Sequence, residues 1–295
     1  MEYIDKKQNL FLLFGLLVCI LFLVIGCTPK QTIQKDNTTI AKNTTLSDSI
    51  NISVLKTEMY LSNIDYTLSA NEIIYMIADL LSKNFNRPLL LPDLKYLINK
   101  NEVYANNHWK IYGKYFANRT SFTKEQKSFY TKILNDKITE TDIQTVWAMY
   151  CPYFPIKDTL LDIIESKARL SEYDMTHAAL QIEEIIRNNY CNISDTARIN
   201  KIKRIAVNRL DNDTKLYISA KDDANFDLLV EQFAFLCYLR QYDLLNKQYI
   251  RYVINKQNAD GGWQNEKGVS TPHTSVLAYW FLLDAYQNID KIADY

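Results

Sequence analysis

Six glycines and six prolines in 295 residues leave little material for tight turns. Sandwiches, barrels and doubly wound α/β sheets need many such turns, so the shortage points to an all-α protein. Neither charge is in excess, 34 Lys and Arg standing against 34 Asp and Glu. A dedicated nucleic-acid binder carries a basic surplus, and no nucleic-acid partner is expected. Histidine is rare: His108, His177 and His273 are the full set. Against these shortages, apolar residues make up 47% and charged residues 23%, which excludes wholesale disorder. Tyrosine is abundant, with 21 copies.

The N-terminus reads as an address. Lys6 and Lys7 precede Leu10 to Ile25, a stretch without charge, and the run ends Val24-Ile25-Gly26-Cys27. A charged start, a short apolar core and a small residue before a break mark an export signal. The last four residues resemble a bacterial lipobox. That resemblance implies cleavage after Gly26, acylation of Cys27 and anchoring in the bacterial cell envelope. Thr28 gives no inner-membrane retention signal by the same resemblance, so the outer membrane, on its periplasmic or surface face, is expected. An uncleaved membrane anchor is the alternative, since the run is just long enough to span a bilayer. Glu2 and Asp5 offset the two lysines, a departure from the usual basic start.

Residues 27–55 are expected to form a flexible tether, because the Thr-, Asn-, Lys- and Ser-rich part cannot bury a core. At roughly 5–6 Å × √n it would hold the following domain about 25–30 Å from the bilayer. Asp48-Ser49-Ile50 resembles the Asp-Ser/Thr-aliphatic sites at which Bacteroidota O-glycosylate exported proteins. Beyond the signal and Cys27, three cysteines remain, Cys151, Cys191 and Cys237, enough for one disulfide at most. Cys151 and Cys237 lie in apolar surroundings and read as buried small hydrophobes.

Residues 56–295 read as helices. Ser69-Ala-Asn-Glu72, Thr123-Lys-Glu-Gln126 and Thr141-Asp-Ile-Gln144 have capping-box form ahead of apolar residues at three-to-four spacing. Further helices are expected over 160–168, 175–190, 196–210, 227–242, 246–257 and 274–288, with Asp195 as an N-cap. Lys215 to Ser219 shows a short alternation that competes weakly as strand or loop. Val276 to Leu283 is apolar all round and is expected to be buried on every side. Its neighbours carry polar stripes, which suggests inner helices enclosed by outer ones.

Gln257-Asn-Ala-Asp-Gly-Gly-Trp-Gln264 followed by Ser270-Thr-Pro-His-Thr-Ser-Val-Leu277 resembles the repeat of α/α-toroid proteins, among them terpenoid cyclases and protein prenyltransferases. The resemblance implies a toroid-like domain, complete or partial, clearest over 170–295. Asp260 would cap the turn, Gly261 and Gly262 would supply positive φ, and Trp263 would cover the barrel end. His273 stands near where prenyltransferase subunits carry a zinc-binding histidine. Strings beginning at Asp174, Asp227 and Thr271 recur at roughly fifty-residue spacing, as a two-helix repeat would. The family's Asp-x-Cys, Asp-x-Asp-Asp and Asp-Asp-x-x-Asp elements are missing, so prenyl transfer and terpene cyclisation are not expected.

His177 and His273 both stand at expected inner-helix starts, so they should face one central space with Glu231 or Asp174, near Trp263. Such a set suits a bound ligand, a metal or acid–base work; ordinary helix-start histidines are the alternative. The sequence names no catalytic residue and no cofactor, and it assigns no metal. The expected function is an envelope-anchored binding or scaffold module of unknown ligand, with the membrane as partner through Cys27. A surface enzyme acting on glycans as lyase or hydrolase is the alternative. An accessory subunit contacting another envelope protein is a third reading.

Overall fold

The computed structural model describes residues 45–64, 81, 84–87, 122–220, 225–264 and 269–294. The chain divides into two compact units, Met1–Thr44 and Thr45–Tyr295, and the second is described below. The export segment, Cys27, Ser69–Glu72 and His108 lie outside the described residues. Among the described residues no helix is long and apolar enough to cross a membrane.

The fold is all-α, with nine α-helices among the described residues and one two-residue hairpin. The helices are α1 Leu46–Ser62, α2 Lys124–Asp136, α3 Thr141–Met149, α4 Asp158–Lys167 and α5 Glu172–Arg187. They continue with α6 Thr196–Ala220, α7 Phe226–Tyr238, α8 Lys247–Asn255 and α9 Pro272–Gln287. Strand β1, Trp263–Gln264, pairs antiparallel with β2, Ser270–Thr271.

Local chemistry sets the helix starts. Thr123 and Gln126 close a capping box ahead of α2. The Arg198 amide donates to Asp195 Oδ1 at 2.9 Å, and Asn246 accepts from the Gln248 and Tyr249 amides. Thr271 caps α9, with Pro272 at its first position, where no N–H is needed. The Thr141 expectation shifts by one residue: Glu140 occupies the cap without a side-chain bond, and Thr141 opens the helix.

Packing places α3, α5, α7, α9 and α1 in one row, each against the next. Against this row lie α4 on α5, α6 on α5 and α7, and α8 on α1 and α9. The apolar run in α9 is buried except at Trp280, which is half-buried, and α7 is more fully enclosed, with Phe226 and every residue from Leu228 to Cys237 buried. Phe233 stacks on Tyr249 and leans on Phe281, both at 5.1 Å between centroids. In α6, buried Ile199, Ile202, Ala206, Leu210, Asp213 and Thr214 continue one helical face past the expected end. Lys215 to Ser219 is therefore helix. Its alternation fails because Leu216 points to solvent, while Thr214 bonds Gln232 on α7.

Three further expectations change. Helix α1 begins at Leu46, inside the stretch expected as tether, because Thr45 and Asp48 form a capping box. The Asp48-Ser49-Ile50 triplet is thereby the first turn of a helix, with Ile50 fully buried, rather than an open linker. Cys151 is not a free apolar thiol: it is disulfide-bonded to Cys191, with Cα atoms 5.3 Å apart, while Cys237 is free and buried.

The glycine turn docks the C-terminal segment onto α1. The Gln257 amide donates to the Ser53 and Gly261 carbonyls, each at 2.9 Å. Asp260 accepts from the Gly262 amide and the Ser270 hydroxyl. Gly261 has φ +91°, and a Cβ there would lie 2.3 Å from the Lys56 carbonyl oxygen. Gly262 does not share the positive φ; it is small because Ser270 and Tyr60 crowd it. Trp263 is wholly buried and its indole donates to the Val253 carbonyl at 2.7 Å.

Candidate functional site

The starts of α5, α7 and α9 meet. Their second residues are Tyr173, Asp227 and His273. The Tyr173 hydroxyl donates to Asp227 Oδ2 at 2.8 Å, and His273 Nδ1 donates to Asp227 Oδ1 at 3.0 Å. At the other end of α5 and α7, the Tyr238 hydroxyl donates to Glu184. Both ends of α5 thus meet the same ends of α7, so these neighbours run parallel. Parallel neighbours require an intervening helix to carry the chain back, the role of α6 between α5 and α7 and of α8 between α7 and α9.

Asp227 accepts a third hydrogen bond from the Thr274 hydroxyl. Burial alone would raise its carboxyl, but the bonds from His273, Thr274 and Tyr173 outweigh that and hold it below the usual aspartate range. The same contact pushes His273 upward: its bond to Asp227 outweighs the opposing effect of burial. The His273 side chain is 52% exposed, so with Nδ1 committed its Nε2 faces outward.

Glu231 lies one helical turn beyond Asp227, on the same face of α7. It is 4% exposed, and burial raises its carboxyl against the opposing pull of Thr176 and the two histidines. Thr176 Oγ1 contacts both Glu231 Oε1 and the Tyr173 carbonyl, yet owns one proton. A protonated Glu231 satisfies both contacts: it donates to Thr176, which donates to Tyr173. One ligand atom each from Asp227, Glu231 and His273 lies within 4.8 Å of the others. Two oxygens and one imidazole nitrogen without thiolate suit a first-row divalent ion of the zinc or manganese class.

The expected residues divide. Glu231 and His273 come together. His177 stands beside them: its Nδ1 donates to the Tyr173 carbonyl at 2.7 Å and its charge reaches Glu231, but it is not one of the three clustered ligand residues. Asp174 is turned outward, exposed and paired with Lys167 at 3.3 Å, because the end of α4 lies over the start of α5. Trp263 is wholly buried, with its indole bonded to the Val253 carbonyl on α8. Asp227, Tyr173, Thr176 and Thr274 were not singled out by sequence reasoning. The spacing of Asp227 and Glu231, four apart on one helix, was the available signal for the first.

Comparison of the chain with models of protein families, with curated proteins and with solved structures returned no match.

Proposed function

We propose that the chain is an exported, lipid-anchored binding module of α/α-toroid-like arrangement, with its binding centre at Asp227, Glu231 and His273. The observation that carries the reading is the convergence of these three side chains from the starts of two parallel helices. The alternation of an enclosed row with returning outer helices supports the toroid-like arrangement. The Val24 to Cys27 string supports the anchor, with attachment at Cys27. With the protons of Glu231 and of His273 Nδ1 displaced on binding, the centre would hold a divalent ion through the two carboxylates and that imidazole nitrogen. Such an ion would act as a Lewis acid toward a carboxylate or carbonyl of the bound ligand.

Elemental analysis of the purified chain after zinc or manganese loading tests the centre. The expected result is one ion per chain, lost in Asp227→Asn, Glu231→Gln and His273→Ala with folding intact. No stoichiometric ion in the parent would overturn it. Envelope fractionation of the parent beside Cys27→Ser tests the anchor, and equal membrane association of the two would refute it.

A second reading, a surface enzyme on glycans, is favoured by the outward Nε2 of His273. A ring held by a carboxylate at Nδ1 is oriented to act as a general base at Nε2. Proton abstraction from a uronic acid polymer, lost in His273→Ala, is the activity that would support it.

A further inference from the structure

We infer that the outward face of α1 is a lipid-docking surface that lies against the bilayer carrying the chain's own anchor, an inference that rests on the lipid-anchored reading above. The surface starts from composition. Helix α1 is apolar on two sides. One side buries Ile50, Val54 and Leu61, while the other leaves Ile52, Leu55 and Met59 at 49%, 47% and 67% exposure. These three recur at the three- and four-residue steps that place side chains on one helix face. A helix apolar on two sides expects two partners, and the fold supplies α8 and α9 on one of them.

The exposed stripe also carries Lys56, one turn beyond Ile52, and its ammonium has no partner among the described residues. An apolar stripe with a lysine at its edge suits the boundary between headgroups and acyl chains. The aliphatic stem packs with the apolar neighbours and the charge reaches the phosphates. A soluble protein partner is the less fitting occupant, because nothing aromatic stands on the stripe to anchor it.

Chain length decides for the membrane. Helix α1 starts at Leu46, its cap is Thr45, and Cys27 lies only 18 residues upstream of that cap. A segment of that length has an end-to-end distance of about 20–25 Å when flexible. The bilayer is then within constant reach of α1, at an effective concentration of about millimolar. Three half-exposed side chains would not hold a free protein on a membrane. Under such tethering, weak docking is enough to orient the domain.

The test uses the full lipidated chain in vesicles of phosphatidylcholine and phosphatidylglycerol, with some lipids carrying a quencher in the acyl region. A small fluorophore is attached at Met59→Cys and, in a second protein, at Leu216→Cys, an equally exposed apolar position on α6. The expected result is flotation of both proteins with the vesicles and quenching at position 59 alone. Flotation with no quenching at 59, or with equal quenching at both positions, would overturn the docking surface and leave the anchor standing. Failure to float would overturn the anchor, and the docking surface with it. Ile52→Gln combined with Leu55→Gln, both at exposed positions, should abolish quenching at 59 without reducing flotation; unchanged quenching would also count against the surface.

Discussion

Reduction of the Cys151–Cys191 disulfide should cost the domain a measurable part of its stability. The bond joins residues 40 apart. In the chain-entropy account, closing a loop of that length stabilises the folded state by about 4 kcal/mol. Part is offset locally. Asn189, Tyr190 and Cys191 hold successive φ values of 54°, 58° and 50°, in the left-handed region. Asn tolerates that region, whereas Tyr190 and Cys191 store about 1 kcal/mol each, released once the turn is freed. The net loss is then about 2 kcal/mol, or roughly 4–8 °C in Tm for a domain of this size. The assay is a thermal melt with and without a phosphine reductant, beside Cys151→Ser, with alkylation and mass spectrometry to count thiols. Alkylation of both Cys151 and Cys191 before reduction, or an unchanged Tm after the bond is broken, would refute the reasoning.

Other outcomes follow from the same contacts. Trp263→Ala should destabilise by about 3–5 kcal/mol, since a fully buried ring is removed and the Val253 carbonyl loses one of its two donors; denaturant melts read this directly. Gly261→Ala should cost on the order of 2–4 kcal/mol, because a positive φ and a clash with the Lys56 carbonyl act together. A cost within about 0.5 kcal/mol of zero would mean the turn does not sit on α1. Glu231→Gln should leave stability unchanged or raised near neutral pH. Burial lifts the folded-state carboxyl above its ordinary 4.5. The native state therefore loses stability as pH rises from that value through the folded one, and the amide escapes the loss. Melts near pH 4 should then show parent and variant alike, and a variant less stable only near neutral pH would contradict this.

Much of the fold was legible in the residues. Capping residues before apolar runs placed α2, α8 and α9 to within a few positions. Helix α7 was found, but its complete burial was not, because Glu231 and Gln232 look polar in a sequence and are enclosed in the fold. Helix α1 was missed over its first turns because Thr and Ser composition resembles a linker until one sees Thr45 and Asp48 cap each other. The site was half legible. His273 and Glu231 sit on helix starts that pattern could locate. Tyr173 contributes a carbonyl to His177 and a phenol to Asp227, and neither role leaves a mark in spacing. Asp174 shows the converse: it shares a helix with His177 yet is drawn outward by Lys167, a contact made by a separate helix.

The bond between Asp227 and His273 joins α7 to α9 and creates the centre, so it is the contact to measure. An NMR titration of the His273 ring, in chelator-treated protein and in Asp227→Asn, reads it directly. In the parent the ring should titrate above its ordinary 6.5. Its extra stability is then present below that value and lost as pH rises through the folded one. In Asp227→Asn the midpoint should fall. Equal midpoints in the two proteins would show that His273 does not rest on Asp227, and the centre described here would not exist.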